Sequence, residues 1–137
     1  MSKYFAAYAG TAIVMVVLDL LWLGVIAKPL YQQGIGHLMA QEPKVGVAVL
    51  FYLLYALGVI IFAVAPHHDG SSWAMTLTMA ALFGFFAYAT YDLTNLATLR
   101  DWPLRLSLID IGWGVFVSAA AAAGGKAAMD WASRSSI

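Results

Sequence analysis

The chain has no cysteine, and that absence alone removes disulfides, thiolate metal sites and cysteine nucleophiles. It also leaves the redox compartment unreadable. Charge is nearly as scarce: seven basic and seven acidic residues make up 10% of 137, with a formal net charge of zero. Such a chain has no electrostatic footprint for nucleic acid and no polybasic patch for a lipid surface, so no nucleic-acid partner is expected. The sequence also lacks a serine elbow, a histidine-rich box, a Walker loop and any paired metal-ligand spacing. No metal and no cofactor are expected, and catalysis starts as the least supported role. There are four prolines, and all of them fall at the edges of apolar runs.

What remains is apolar. Hydrophobic residues make up 63% of the chain, which points to a membrane protein. Four runs, residues 4–27, 45–65, 73–99 and 103–125, are long enough to cross a hydrocarbon core of about 30 Å, which takes roughly 20 helical residues. They predict an all-α polytopic membrane protein: an antiparallel four-transmembrane-helix bundle, one domain over residues 1–137. The first run is too long for a signal-peptide core, and Val25-Ile-Ala-Lys-Pro29 makes a poor cleavage site, so it is expected to remain as a helix. Lys28-Pro29 ends it, Pro43 precedes the second run, and Pro66-His-His-Asp-Gly-Ser-Ser72 reads as a polar turn. Asp101-Trp-Pro103 reads as a helix start with Asp101 at the N-cap.

The connection from Lys28 to Lys44 is the only long one. Leu30, Tyr31, Ile35, Leu38 and Met39 alternate there with Gln32, Gln33, His37 and Gln41, the pattern of a short interfacial amphipathic element. Gly34 and Gly36 weaken it as a helix, so a broken or bent segment covering one mouth of the bundle is expected. His37 has no second ligand at helical spacing, and the pair His67-His68 in a turn is no better placed for metal or acid-base work.

The acids within the runs are the informative residues. Let side A hold both termini and side B the other ends. By helical rise, Asp19 lies about 12 Å below side B, and Asp92 and Asp110 about 10 Å below it. Tyr52 and Tyr55 of the second run fall about 10 and 15 Å from the same side. Carboxylates at such depth are costly and are normally turned inward, so the shared level predicts one polar site opening toward side B. Helical spacing supplies its walls: Trp22 three residues after Asp19, Asn95 three after Asp92, Trp113 three after Asp110, and Tyr88 four before Asp92. Tyr91 adjoins them. Leu18-Asp-Leu-Leu-Trp22 and Ile109-Asp-Ile-Gly-Trp113 repeat a D-x-x-W device on helices that run in opposite directions.

Like charges in a low-dielectric layer cannot all ionise without a cation. Arg100 and Arg105, at the side-B hairpin, are the expected counter-charges. Asp92 is the leading candidate for a proton carrier. The competing role for these groups is interhelical hydrogen bonding that fixes register. Trp22, Trp73, Trp102 and Trp131 lie near expected helix ends, where indoles form an interfacial belt; Trp113 lies deeper. Ser118-Ala-Ala-Ala-Ala-Ala-Gly-Gly125, with the pairs Ala6 and Gly10 and Ala80 and Gly84, offers smooth surface for close helix approach, either within the bundle or in a homo-oligomer. Beyond Lys126 a short, frayed tail is expected. Side B carries Lys28, Lys44, Arg100 and Arg105 against Lys3, Lys126 and Arg134 on side A, which favours side B in the cytoplasm.

The segments Val17-Leu-Asp-Leu-Leu-Trp-Leu-Gly24, Tyr91-Asp-Leu-Thr-Asn-Leu-Ala-Thr-Leu-Arg100 and Ile109-Asp-Ile-Gly-Trp-Gly114 resemble an uncharacterised bacterial family of predicted four-helix membrane proteins, catalogued as a domain of unknown function. The resemblance covers almost the whole chain. It implies a small inner-membrane protein and brings no activity with it. On the residues alone, the leading function is binding of a lipid-derived or small amphiphilic ligand, with membrane lipid as the surrounding partner. The alternatives are a proton- or cation-coupled small transporter, a membrane enzyme using Asp92 or Asp110 on lipid, and an accessory or assembly subunit.

Overall fold

The computed structural model describes residues 2–67 and 73–135; the turn expected over 66–72 falls largely outside them. Among the described residues the chain is helical, without strands. The elements are α1 (Ser2–Leu21), α2 (Lys28–Ile35), α3 (Val45–Val59), α4 (Trp73–Thr98) and α5 (Leu104–Ser135). Two of them continue into π-helical turns, α1 through Trp22–Ile26 and α3 through Ile60–Val64. Four helices are long and apolar enough to cross a membrane: Ser2–Ile26, Val45–Val64, Trp73–Thr98 and Leu104–Arg134. Their outward faces carry large apolar side chains such as Phe5, Ile13, Phe86 and Phe116. In water these would be a liability, but they suit a hydrocarbon surround.

Helix α5 is the axis of the bundle, with α1 and α4 packed against it. Small residues make the approach close, as expected where packing rather than the hydrophobic effect holds helices together. A methyl group at Gly10 would stand 2.7 Å from the Gly124 carbonyl oxygen and 2.9 Å from the Ala128 Cβ. One at Gly84 would meet the Gly114 carbonyl and the Ser118 side chain. Gly114 itself leaves room for the Tyr88 ring. The small-residue stripe of α5 is thus spent inside the bundle, where Ser118, Ala121 and Ala122 are buried.

Helix α3 joins this core only over its second half, through Tyr55, Ala56, Val59, Ile60, Ala63 and Val64. Residues 45–51 are exposed throughout. The side-B end of α3 therefore buries little: α4 meets this helix mainly through its π-helical continuation, while Tyr52 still reaches Asp19 on α1. Pro29, in the first turn of α2, starts that helix where its missing N–H costs nothing. After Ile35 the segment tightens into a 3-10 turn, Gly36–Leu38, at the second of the two glycines expected to break it, while Gly34 stays helical within α2.

Three expectations are corrected. The chain beyond Lys126 is not frayed: α5 continues to Ser135, because Met129 and Ala132 are buried and the buried Lys126 lies 3.8 Å from Asp130 and 5.4 Å above the Trp73 ring. Asp101 is not the N-cap, since α5 begins at Leu104. It turns the chain instead, with φ at 65°, a region Asp tolerates better than most residues. Trp102 is not a belt residue: it is buried, and its indole N–H donates to Ser107 Oγ at 3.0 Å. Trp73 and Trp131 are exposed, at 42% and 62%.

Candidate functional site

Antiparallel packing of α1 on α5 places the two D-x-x-W devices face to face in opposite directions. Asp19 comes level with Trp113, and Trp22 with Asp110. The Trp113 indole N–H accordingly donates to Asp19 Oδ1 at 2.7 Å. The Trp22 N–H donates to the Tyr31 hydroxyl at 3.1 Å, and that hydroxyl donates to Asp110 Oδ1 at 2.5 Å. The two indoles stack, with centroids 4.4 Å apart and planes 3° from parallel. Each tryptophan thus serves the acid of the other helix, Trp113 directly and Trp22 through a phenol. Trp22, at a π-helical turn closed by the Ala27 N–H on its carbonyl at 2.7 Å, is held in this stack rather than spread along an interface.

Helix α3 adds two phenols. Tyr52 donates to Asp19 Oδ2 at 2.8 Å, and the Tyr55 hydroxyl lies 2.7 Å from Ser118 Oγ. Both Asp19 oxygens are therefore occupied. Helix α4 contributes Asp92, which is fully buried at hydrogen-bond distance from the Asp110 carboxyl and receives no N–H, phenol or hydroxyl donor on either oxygen. A carboxyl at 0% exposure whose one polar neighbour is another carboxyl is unusual, because buried polar groups are nearly always satisfied by donors.

These side chains surround a cavity of about 490 Å³. Asp19, Trp22, Tyr55, Tyr88, Tyr91, Asp92, Asp110 and Trp113 line it, as sequence reasoning places them, and Tyr52 reaches it through Asp19. Asn95 is half-buried and does not line it. Arg100 and Arg105, expected as counter-charges, are exposed, and among the described residues no ion pair joins either to an acid. The hairpin between α4 and α5 directs them outward while Trp102 folds in.

Sequence reasoning missed Tyr31, Ile35, Phe51, Ala87 and Trp102 as lining residues. For Tyr31 a signal existed. It sits on the apolar stripe of the one long connection, directly after the proline that starts α2, and a phenol there can face a buried acid. Burial first, and then the Asp110 hydrogen bond, push the Tyr31 phenol well above its ordinary range, so it remains a donor at physiological pH. Trp102 packs edge-on against Tyr91, with centroids 5.7 Å apart, and closes the cavity from the hairpin side. His37 is exposed, and among the described residues no cluster of three or more His, Asp or Glu side chains is placed to hold a metal.

Neither a curated protein nor a solved structure matches the chain. One family model does, over residues 4–127, under the description "Predicted membrane protein (DUF2177)". That match takes in most of each of the four long apolar helices and every acid of the cavity. The chain therefore belongs to this family of membrane proteins of unknown function.

Proposed function

We propose that the cavity is a binding site for a lipid-derived or small amphiphilic molecule that enters from the membrane. One observation carries the reading: a space of about 490 Å³, walled by aromatic rings, is lined by a buried carboxyl, Asp92, that no donor serves and whose polar neighbour is another acid. That volume lies within the range of small-molecule sites, which are mostly apolar with a few placed polar groups. If the acids served only to fix helix register, their hydrogen bonds would be saturated. Those of Asp19 are, and those of Asp92 are not. The exposure of residues 45–51 and the sparse contact of α3 with α4 supply a lateral path for an apolar chain, and α2, tied down by Tyr31, lies over the side-B mouth.

Filling the space from α4 tests the reading. A neutral amphiphile with a brominated chain should quench tryptophan fluorescence saturably in the wild-type protein. It should lose most of that quenching in Ala87→Phe, with helical content preserved. Equal saturable quenching in both proteins would remove the cavity from consideration.

We further infer residence in a bacterial inner membrane with side B in the cytoplasm. Lys28, Lys44, Arg100 and Arg105 flank that side, and on side A one of the three cations, Lys126, is buried against Asp130. A reporter fused at Ile137 that is active only in the cytoplasm would reverse the assignment.

A further inference from the structure

We infer that the occupant of this cavity carries a cationic head with N–H donors, an ammonium group on an apolar chain; the inference rests on the cavity being a ligand site. Three carboxyl side chains line the space, and among the described residues no lysine, arginine or histidine does. Their hydrogen bonds differ. Asp19 is filled by Tyr52 and Trp113, and Asp110 Oδ1 by Tyr31. Asp92, at 0% exposure, faces the Asp110 carboxyl and receives no donor from outside that pair.

The cavity's own donors are largely committed. The indole N–H of Trp22 goes to Tyr31, that of Trp113 to Asp19 and that of Trp102 to Ser107. Tyr88 and Tyr91 are left as the phenols without a described hydrogen bond. The site thus pairs Asp92 with Asp110 and sets neutral phenols but no cation beside them, and an alkylammonium brings three donors and no acceptor. It also brings the positive charge that a cluster of buried acids lacks. A carboxylate head would instead add a fourth acid where no base can receive it. Aromatic walls favour the same choice, because ring faces attract a cation and repel an anion. The Trp22–Trp113 stack and the edge-on pair of Tyr55 and Tyr88, centroids 6.2 Å apart, supply such faces beside the acids.

Three probes of equal chain length separate charge from hydrophobicity. Octylammonium, octanol and octanoate are titrated into the full-length protein in a neutral maltoside detergent at pH 7. There a primary amine is protonated, as a lysine with its pKa of about 10.4 is. Intrinsic tryptophan fluorescence reads binding. Octylammonium is expected to bind at least tenfold more tightly than octanol, and octanoate more weakly than either. Asp92→Asn should cut the preference for octylammonium over octanol at least tenfold. Octanol or octanoate matching octylammonium in the wild type overturns the cationic head and leaves the binding site standing. Failure of all three to bind saturably overturns both. The wild-type comparison requires no variant, so it decides the matter even if Asp92→Asn does not fold; Asp110→Asn, which keeps Asp92, should then show a smaller loss of preference.

Discussion

The indole of Trp113 and the carboxyl of Asp19 lie 94 residues apart in sequence and 2.7 Å apart in space, and their hydrogen bond ties α5 to α1 at the level of the cavity. Trp113→Phe keeps an aromatic ring against Trp22 but removes this donor, leaving Asp19 with Tyr52 alone. The expected cost is about 1–2 kcal/mol, near the upper end for hydrogen bonds between membrane helices. Unfolding by a denaturing detergent, followed by circular dichroism, measures it; no change would mean that the bond is exchanged for water.

Asp92 should behave in the opposite way. Since neither of its oxygens is satisfied, Asp92→Asn removes a buried acid and supplies an amide able to donate to Asp110. The empty protein should gain about 1–2 kcal/mol, the range associated with an unsatisfied buried group, while ligand affinity falls. This is the trade expected where a group is kept for function rather than stability. A destabilised Asp92→Asn variant in the same unfolding assay would instead mark the carboxyl as structural.

Tyr31 holds α2 over the side-B mouth through Asp110. In Tyr31→Phe the helix loses its anchor but keeps its ring. Trypsin should then cleave after Lys44 several-fold faster, the Lys28–Pro29 bond being resistant to it, with little change in the global transition, because the loosened unit is local. Unchanged cleavage would show that apolar contacts alone keep α2 in place.

Two glycines of the bundle should respond in opposite directions to the same substitution. A Cβ at Gly84 collides with the Gly114 carbonyl and with Ser118, whereas one at Gly112 meets nothing within 4 Å. Gly84→Ala should destabilise by about 1–3 kcal/mol through overpacking. Gly112→Ala should be neutral or stabilising by up to about 1 kcal/mol, as alanine replaces glycine in a helix interior. Equal effects would show that the α4–α5 seam is slack.

Much of the site was legible because depth in a membrane helix follows from counting residues. The common level of Asp19, Asp92 and Asp110 follows from a rise of 1.5 Å per residue, and the D-x-x-W spacing places each indole one turn from its own acid. Counting does not give the direction in which a side chain points around its helix. Asn95 shares a face with Asp92 by spacing and still misses the cavity. Arg100 and Arg105 reach the right level and turn outward. Trp102 looks interfacial by position, yet the positive-φ turn at Asp101 carries it inside.

The amino-acid sequence by itself determined the surrounding solvent, the four crossings and the layer in which the acids lie, since hydropathy and helical rise are local properties. Only the tertiary structure decided which tryptophan serves which acid, that Tyr31 closes the chain of bonds, and that Asp92, of the three cavity acids, meets only another carboxyl. Those outcomes depend on how α1 and α4 rotate against α5, and that rotation is set by where glycines let backbones touch, a relation between residues far apart in the chain.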